Sequence, residues 1–154
     1  MTTINLKPHK EESLLRFHPW VFSGAIRSIA LDKDYPYAEP REGELVQVVD
    51  SQGNTLGVGH YQIGSIAVRI LAFGVSELPT NFWQERIAAA YEVRQRLGLV
   101  RADNNSYRLV HGEGDFLPGL IVDIYADTAV VQAHSIGMHY HREEIAAAIV
   151  AKVE

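Results

Sequence analysis

The 154 residues are 47% hydrophobic and 21% charged, a globular balance that excludes a disordered tail and a fibre. There is no cysteine, which excludes disulfides, thiolate metal sites and a cysteine nucleophile. The net charge of −5 divides as −1 over residues 1–76 and −4 over residues 77–154, so this is no bulk electrostatic binder of nucleic acid, and any RNA contact must rest on a local patch and on shape.

Along the chain, Ile4 to Leu6 is a short apolar edge before Pro8. Residues 9–17 predict one or two helical turns with Leu14, Leu15 and Phe17 on the buried side. Pro19 ends that stretch, because it lacks an amide donor and keeps His18 out of the helical region. Leu45 to Val49 predicts a strand, residues 50–54 a turn, and Thr55 the start of the returning strand. Ile66, Val68 and Ile70 alternate with Ala67, Arg69 and Leu71, as in a half-buried strand. Glycines at 57, 59 and 64 suit a curved sheet, and short strands at this spacing suggest a small barrel.

Residues 73–81 read as a boundary, rich in turn formers. Asn81 is an expected N-cap, with Gln84 three residues on. Trp83, Ile87, Ala90, Tyr91 and Leu97 then recur at helical spacing up to the stop at Gly98. Residues 107–110, 120–124 and 128–133 read as strands, and 138–154 as a second helix with Ile145, Ala148 and Ile149 inside. That helix shows no stop signal before Glu154, and two helices with three strands make a lean core. The second domain is therefore expected to be incomplete, finished by further chain or by self-association as a homodimer. No apolar run approaches the ~18 residues of a membrane helix, and residues 1–10 lack the apolar segment of a secretory signal. A cytoplasmic location without a membrane partner is the expectation.

Three strings stand out. In His18-Pro19-Trp20-Val21-Phe22-Ser23-Gly24, Trp20 and Phe22 are expected to be buried anchors of a turn, although aromatics can also stack on unpaired bases. Arg16 and His18 flank this turn and suit phosphate or base contact. The second string, Gly57-Val58-Gly59-His60-Tyr61 followed by Ser65-Ile66-Ala67-Val68-Arg69, reads as a bulged hairpin. Its Arg69 lies either on a solvent face or, with Ser65, near a nucleic-acid groove. The third runs from Tyr107 to Asp123. It matches neither a dinucleotide fingerprint nor a P-loop. His111, Glu113, Asp115 and Asp123 could gather a hard cation. A structured hairpin, with carboxylates taking backbone amides or pairing with Arg108, is the more frequent outcome for such a loop. His134, His139 and His141 are read as solvated rather than as a zinc site, since 139 and 141 diverge at a helix start.

In this order, the three strings resemble the N-terminal portion of the PUA-domain-containing class I rRNA methyltransferases, the group that includes the large-subunit rRNA cytosine-C5 methyltransferases. The resemblance covers nearly the whole chain. It implies an α+β chain with a PUA-like β pseudo-barrel over residues 1–74 and an incomplete α/β connector domain over 79–154. It implies an RNA-binding and substrate-positioning role, with ribosomal RNA as partner. The family's S-adenosylmethionine site and, in the cytosine-C5 members, the catalytic cysteine belong to a further domain. This chain is therefore expected to hold no cofactor, no metal and no catalytic residue. Lys7, Lys10, Arg16, His18 and Arg69 are the expected RNA contacts. The alternative is a stand-alone PUA-like module that binds protein or RNA without an enzymatic role.

Overall fold

The computed structural model describes residues 1–153, in two compact units that divide after Leu78. The first unit contains β1 (Thr3–Leu6), a helical turn α1 (Glu12–Leu15), β2 (Trp20–Phe22), β3 (Ile26–Ala30), β4 (Leu45–Val49), β5 (Thr55–Tyr61) and β6 (Ile66–Phe73). The strands form one sheet in the order β2-β6-β5-β4-β1-β3. Only the β1–β4 pair is parallel.

This order forces curvature. Strands β2 and β3 lie at opposite edges, yet only a three-residue turn, Ser23–Ala25, joins them. Four residue steps reach at most ~14 Å. Six flat strands at ~4.8 Å spacing would hold their edges ~24 Å apart. The sheet must therefore roll up until its two edges nearly meet. Inside it, Ile4, Leu6, Leu14, Val21, Val46, Val48, Leu56, Tyr61, Val68 and Ile70 form one buried cluster. Gly59 permits the roll at the β5–β6 pair, where a Cβ would stand 2.2 Å from the Arg69 carbonyl oxygen. The α+β class and the β pseudo-barrel read from the sequence are what the fold displays.

Two expectations fail here. Leu15 and Phe17 are 63% and 66% exposed, and only Leu14 of that trio is buried. The helix is a single turn, so one side chain reaches the core. The backbone then reverses at Phe17, at φ 64°, and turns its ring outward, edge-on to Phe73 at 5.4 Å. Strands β2 and β3 had no counterpart in the sequence reading. They are three and five residues long, and β3 carries Arg27 and Ser28 in its middle.

The second unit contains α2 (Phe82–Arg96), β7 (Ser106–His111), β8 (Leu120–Tyr125), β9 (Thr128–Ala133), α3 (Ile136–Tyr140) and α4 (Arg142–Lys152). Strands β7, β8 and β9 form an antiparallel sheet in sequence order. Helix α2 packs on α4 and on β7, burying Phe82, Trp83, Ile87, Ala90 and Tyr91. Asn81 occupies the N-cap position, but its backbone carbonyl, not its side chain, accepts from Glu85. Leu97, expected in the apolar stripe, is 67% exposed because the helix has ended at Arg96 and turns through Gly98 at φ 75°.

The single helix expected from residue 138 is two helices. Ser135 starts the first by accepting the Met138 amide on its hydroxyl, and the chain breaks at His141 before α4. Ile145, Ala148 and Ile149 are the buried face of α4. The expected run of that helix to the end stops short: α4 ends at Lys152 and Val153 is already extended, at φ −91° and ψ 124°, while Glu154 lies outside the described residues. Among the described residues, no helix is long and apolar enough to cross a membrane.

Candidate nucleic-acid interface

The chemistry-bearing residues of the first unit collect around α1 and β2. Strand β2 is an edge strand, and its side chains alternate across the sheet. Val21 points inward and is fully buried. Trp20 and Phe22 therefore share the other face, and His18, just ahead of the strand, joins them through its ring. Their rings meet edge to face in series, His18 to Trp20 at 5.5 Å and Trp20 to Phe22 at 6.3 Å. The amide of Trp20 donates to His18 Nδ1 at 3.3 Å, and the Pro19 carbonyl accepts the Ile70 amide at 2.7 Å, which pins the string to β6.

This corrects the sequence reading of two buried anchors. Trp20 is half-buried and Phe22 is 50% exposed, because β2 buries only the side chain between them. Period-two spacing of His18, Trp20 and Phe22 was the signal available in the sequence. Beside this row lies a pocket of about 320 Å³, lined by Lys10, Ser13, Leu14, Trp20, Val21, Phe22, Gly24 and Ala25.

The five expected RNA contacts take different positions. Lys10 lines the pocket. Lys7 is exposed and donates from Nζ to the Gly24 carbonyl at 2.8 Å, which sets it at the pocket rim. Arg16 is exposed at the end of α1, with its Nε 3.5 Å from the Glu12 carbonyl. His18 is exposed at the start of the ring series. Arg69 is half-buried and lies opposite Trp20 in the β2–β6 register, with Nη1 3.5 Å from the Ile66 carbonyl. Helix α1 also brings Glu11 and Glu12, so the patch is only mildly positive.

In the second unit, the acidic loop is built as a structural clamp. Asp115 accepts the His111 amide and both prongs of Arg94. Asp123 pairs with Arg108 at 2.8 Å, and that hydrogen bond holds the Arg108 guanidinium above its ordinary pKa. Arg86 lies over the rings of Phe82 and Phe116, and burial pulls its guanidinium below its ordinary pKa. His134 reaches Gln132, and His141 turns Nδ1 to the Gly137 carbonyl with its ring against Trp83. Among the described residues, no group of three or more histidines and carboxylates converges as a metal site.

Residues 4–73 match the PUA-like domain family. Over 150 residues the chain is 38% identical to ribosomal RNA large subunit methyltransferase I of Tolumonas auensis, covering 96% of this chain and 36% of that protein. Its namesake in Shewanella amazonensis is 40% identical over 145 residues, covering 92% and 34%. The chain thus spans about a third of the length of these relatives. Its fold also superposes on a Streptococcus mutans chain assigned to the SAM-dependent methyltransferases, with a TM-score of 0.75 at 19% identity, covering 98% of this chain and 38% of the other. A methyltransferase-assigned chain solved with SAH gives a TM-score of 0.76 at 18% identity, covering 98% and 37%. Residues 4–73 thus match the PUA-like domain family, and the chain is similar, over nearly all its length, to part of the ribosomal RNA large subunit methyltransferase I proteins.

Proposed function

We propose that this chain is the RNA-gripping and substrate-positioning segment of a SAM-dependent methyltransferase acting on large-subunit ribosomal RNA. The observation that carries the reading is the joint one. A chain similar along 96% of its length to such enzymes carries Lys10 in the lining, and Lys7 at the rim, of a pocket beside the His18–Trp20–Phe22 ring series, within residues that match a PUA-like domain. Residues 1–74 would hold the RNA. Residues 79–154 would connect that grip to the part of the enzyme that binds S-adenosylmethionine. Holding the substrate in register converts methyl transfer into an effectively intramolecular step, which is the rate advantage a positioning domain supplies.

The chain by itself is proposed not to transfer methyl groups. Cytosine-C5 transfer requires a thiolate to attack the ring, and there is no cysteine here. Incorporation of labelled methyl into ribosomal RNA by the purified chain would overturn that.

The grip is tested by titrating the chain against a ribosomal RNA fragment at rising salt. Binding that weakens steeply as salt rises supports phosphate contact. Absence of binding at low salt sinks the reading. The net charge of −5 favours one second reading, a PUA-like module that contacts protein. That module would ignore RNA at every salt concentration.

A further inference from the structure

Residues 31–44, between β3 and β4, form the longest connection of the first unit and contain neither helix nor strand. Irregular loops of that length are uncommon in compact domains, and many of them carry function. Both ends are tied down. The Tyr35 amide donates to the Asp32 carbonyl at 3.0 Å, the Gly43 amide to the Tyr61 carbonyl at 2.7 Å, and Glu42 Oε1 accepts the Ile63 amide at 3.0 Å. Between these ties lies a groove of about 610 Å³, lined by Tyr35, Tyr37, Ala38, Glu39, Pro40 and Arg41. The two tyrosine rings meet edge to face at 5.5 Å and 71°, and Tyr37 is 63% exposed. Pro36 between them and Pro40 beyond them restrict the backbone, so the rings lose little freedom when a partner arrives.

Charge decides which partner suits these rings. Residues 31–44 hold five acidic and two basic side chains, a net −3, whereas the rest of residues 1–78 hold four and five, a net +1. The Met1 ammonium, 2.6 Å from Asp32, offsets one of the loop's negative charges. The groove lining itself carries one side chain of each sign, Glu39 and Arg41. At the foot of the loop, burial and then the carboxylates of Glu39, Glu42 and Glu44 push the Tyr61 phenol above its ordinary pKa, so the field there is negative. Such a surface repels phosphate and attracts cationic side chains. Among those, the planar guanidinium of arginine is the one that also lies flat on a tyrosine ring.

We propose that the Tyr35–Tyr37 groove docks an arginine-rich segment of a partner protein, seated on the two rings and steered by the acidic loop that carries them. A protein bound to the same RNA meets that description, since RNA-binding chains carry clusters of arginine and lysine. Docking of this kind requires nothing of the α1–β2 patch.

The test titrates the full chain with three fluorescent probes. They are a peptide of about 12 residues alternating arginine and glycine, the same peptide with glutamate for arginine, and a single-stranded RNA of about 12 nucleotides. The arginine peptide is expected to bind and the glutamate peptide to be ignored. Tyr35→Ser with Tyr37→Ser leaves the net charge as it is, and is expected to weaken the arginine peptide about tenfold, the loss of two exposed cation–π contacts. Tyr35→Phe with Tyr37→Phe keeps both rings and should retain the affinity, which separates ring contact from a folding defect. RNA affinity should be the same in both paired variants as in the wild type. An arginine peptide that fails to bind at low salt, or that binds the serine pair as tightly as the wild type, overturns the docking groove. RNA affinity that falls in the serine pair assigns the rings to nucleic acid and overturns the protein partner.

Discussion

Arg94 grips Asp115 through both carboxylate oxygens, at 2.5 and 2.9 Å, with the two side chains only 12% and 8% exposed. Arg94 also donates from Nε to the Arg108 carbonyl at 2.8 Å, and Asp115 accepts the His111 amide. One ion pair thus ties α2 to both the acidic loop and β7. Removing one partner leaves a buried charge uncompensated, at a cost of about 3–5 kcal/mol. Arg94→Ala is expected to destabilise the chain by that amount in urea unfolding. The double variant Arg94→Met with Asp115→Asn should lose less than Arg94→Ala alone, because no orphan charge remains. A double variant at least as unstable as the single one contradicts this account.

Gly59 is expected to tolerate no side chain. A Cβ there would stand 2.2 Å from the Arg69 carbonyl oxygen and 2.7 Å from its carbon, both backbone atoms of the paired strand. Relief requires β5 and β6 to separate, so Gly59→Ala should cost about 3 kcal/mol or more, at the upper end for overpacking. At Gly24 nothing lies within 4 Å of an added Cβ, and Gly24→Ala should stay within about 0.5 kcal/mol. Thermal unfolding of the two variants decides the comparison.

The β4–β5 turn is expected to loosen in acid. Asp50 accepts the Asn54 side-chain amide at 3.0 Å and the backbone amides of Asn54 and Gln52 at 2.8 and 2.9 Å. These bonds, with the Asn54 side chain contributing most, hold its carboxyl below the ordinary value of 3.8. A carboxyl lowered on folding stabilises fully above its unfolded pKa. That contribution is lost as pH falls toward the lowered folded value. Hydrogen exchange at the Asn54 amide should therefore lose protection below pH ~4 relative to neighbouring β5 amides, after correction for intrinsic rates. In Asp50→Asn this pH dependence should vanish. Persistence of the full effect in Asp50→Asn would point to a different carboxylate.

Each cation of the α1–β2 patch that touches phosphate should reveal itself in the salt dependence of RNA binding. Arg16→Gln and Lys10→Gln are each expected to reduce the slope of log K against log salt by about 0.7 on single-stranded RNA. Arg69 is half-buried across from Trp20, so Arg69→Gln must be paired with an unfolding measurement. A slope unchanged in a folded variant removes that residue from the interface.

Much of the local structure was legible in the sequence. The apolar runs of β4 and β6, the Asp50–Asn54 turn and the helical recurrence from Trp83 to Tyr91 carry their periods openly. The Tyr107–Asp123 string signalled a structured hairpin, and Asp115 and Asp123 took the amide and arginine partners expected of it, with Arg94 added from α2. The composition alone excluded thiolate chemistry.

Tertiary structure decided what short segments could not encode. Strands β2 and β3 are too short to show a period, and they exist because the rolled sheet offers each an edge to pair with. Phe17 and Leu15 look like core residues in sequence, but a one-turn helix has a single inward position and Leu14 occupies it. The exposure of Phe22 has the same origin. Aromatic content specifies a large apolar surface, whereas the strand to which a ring is attached, and the face on which it stands, determine whether that surface enters the core or remains available to a ligand.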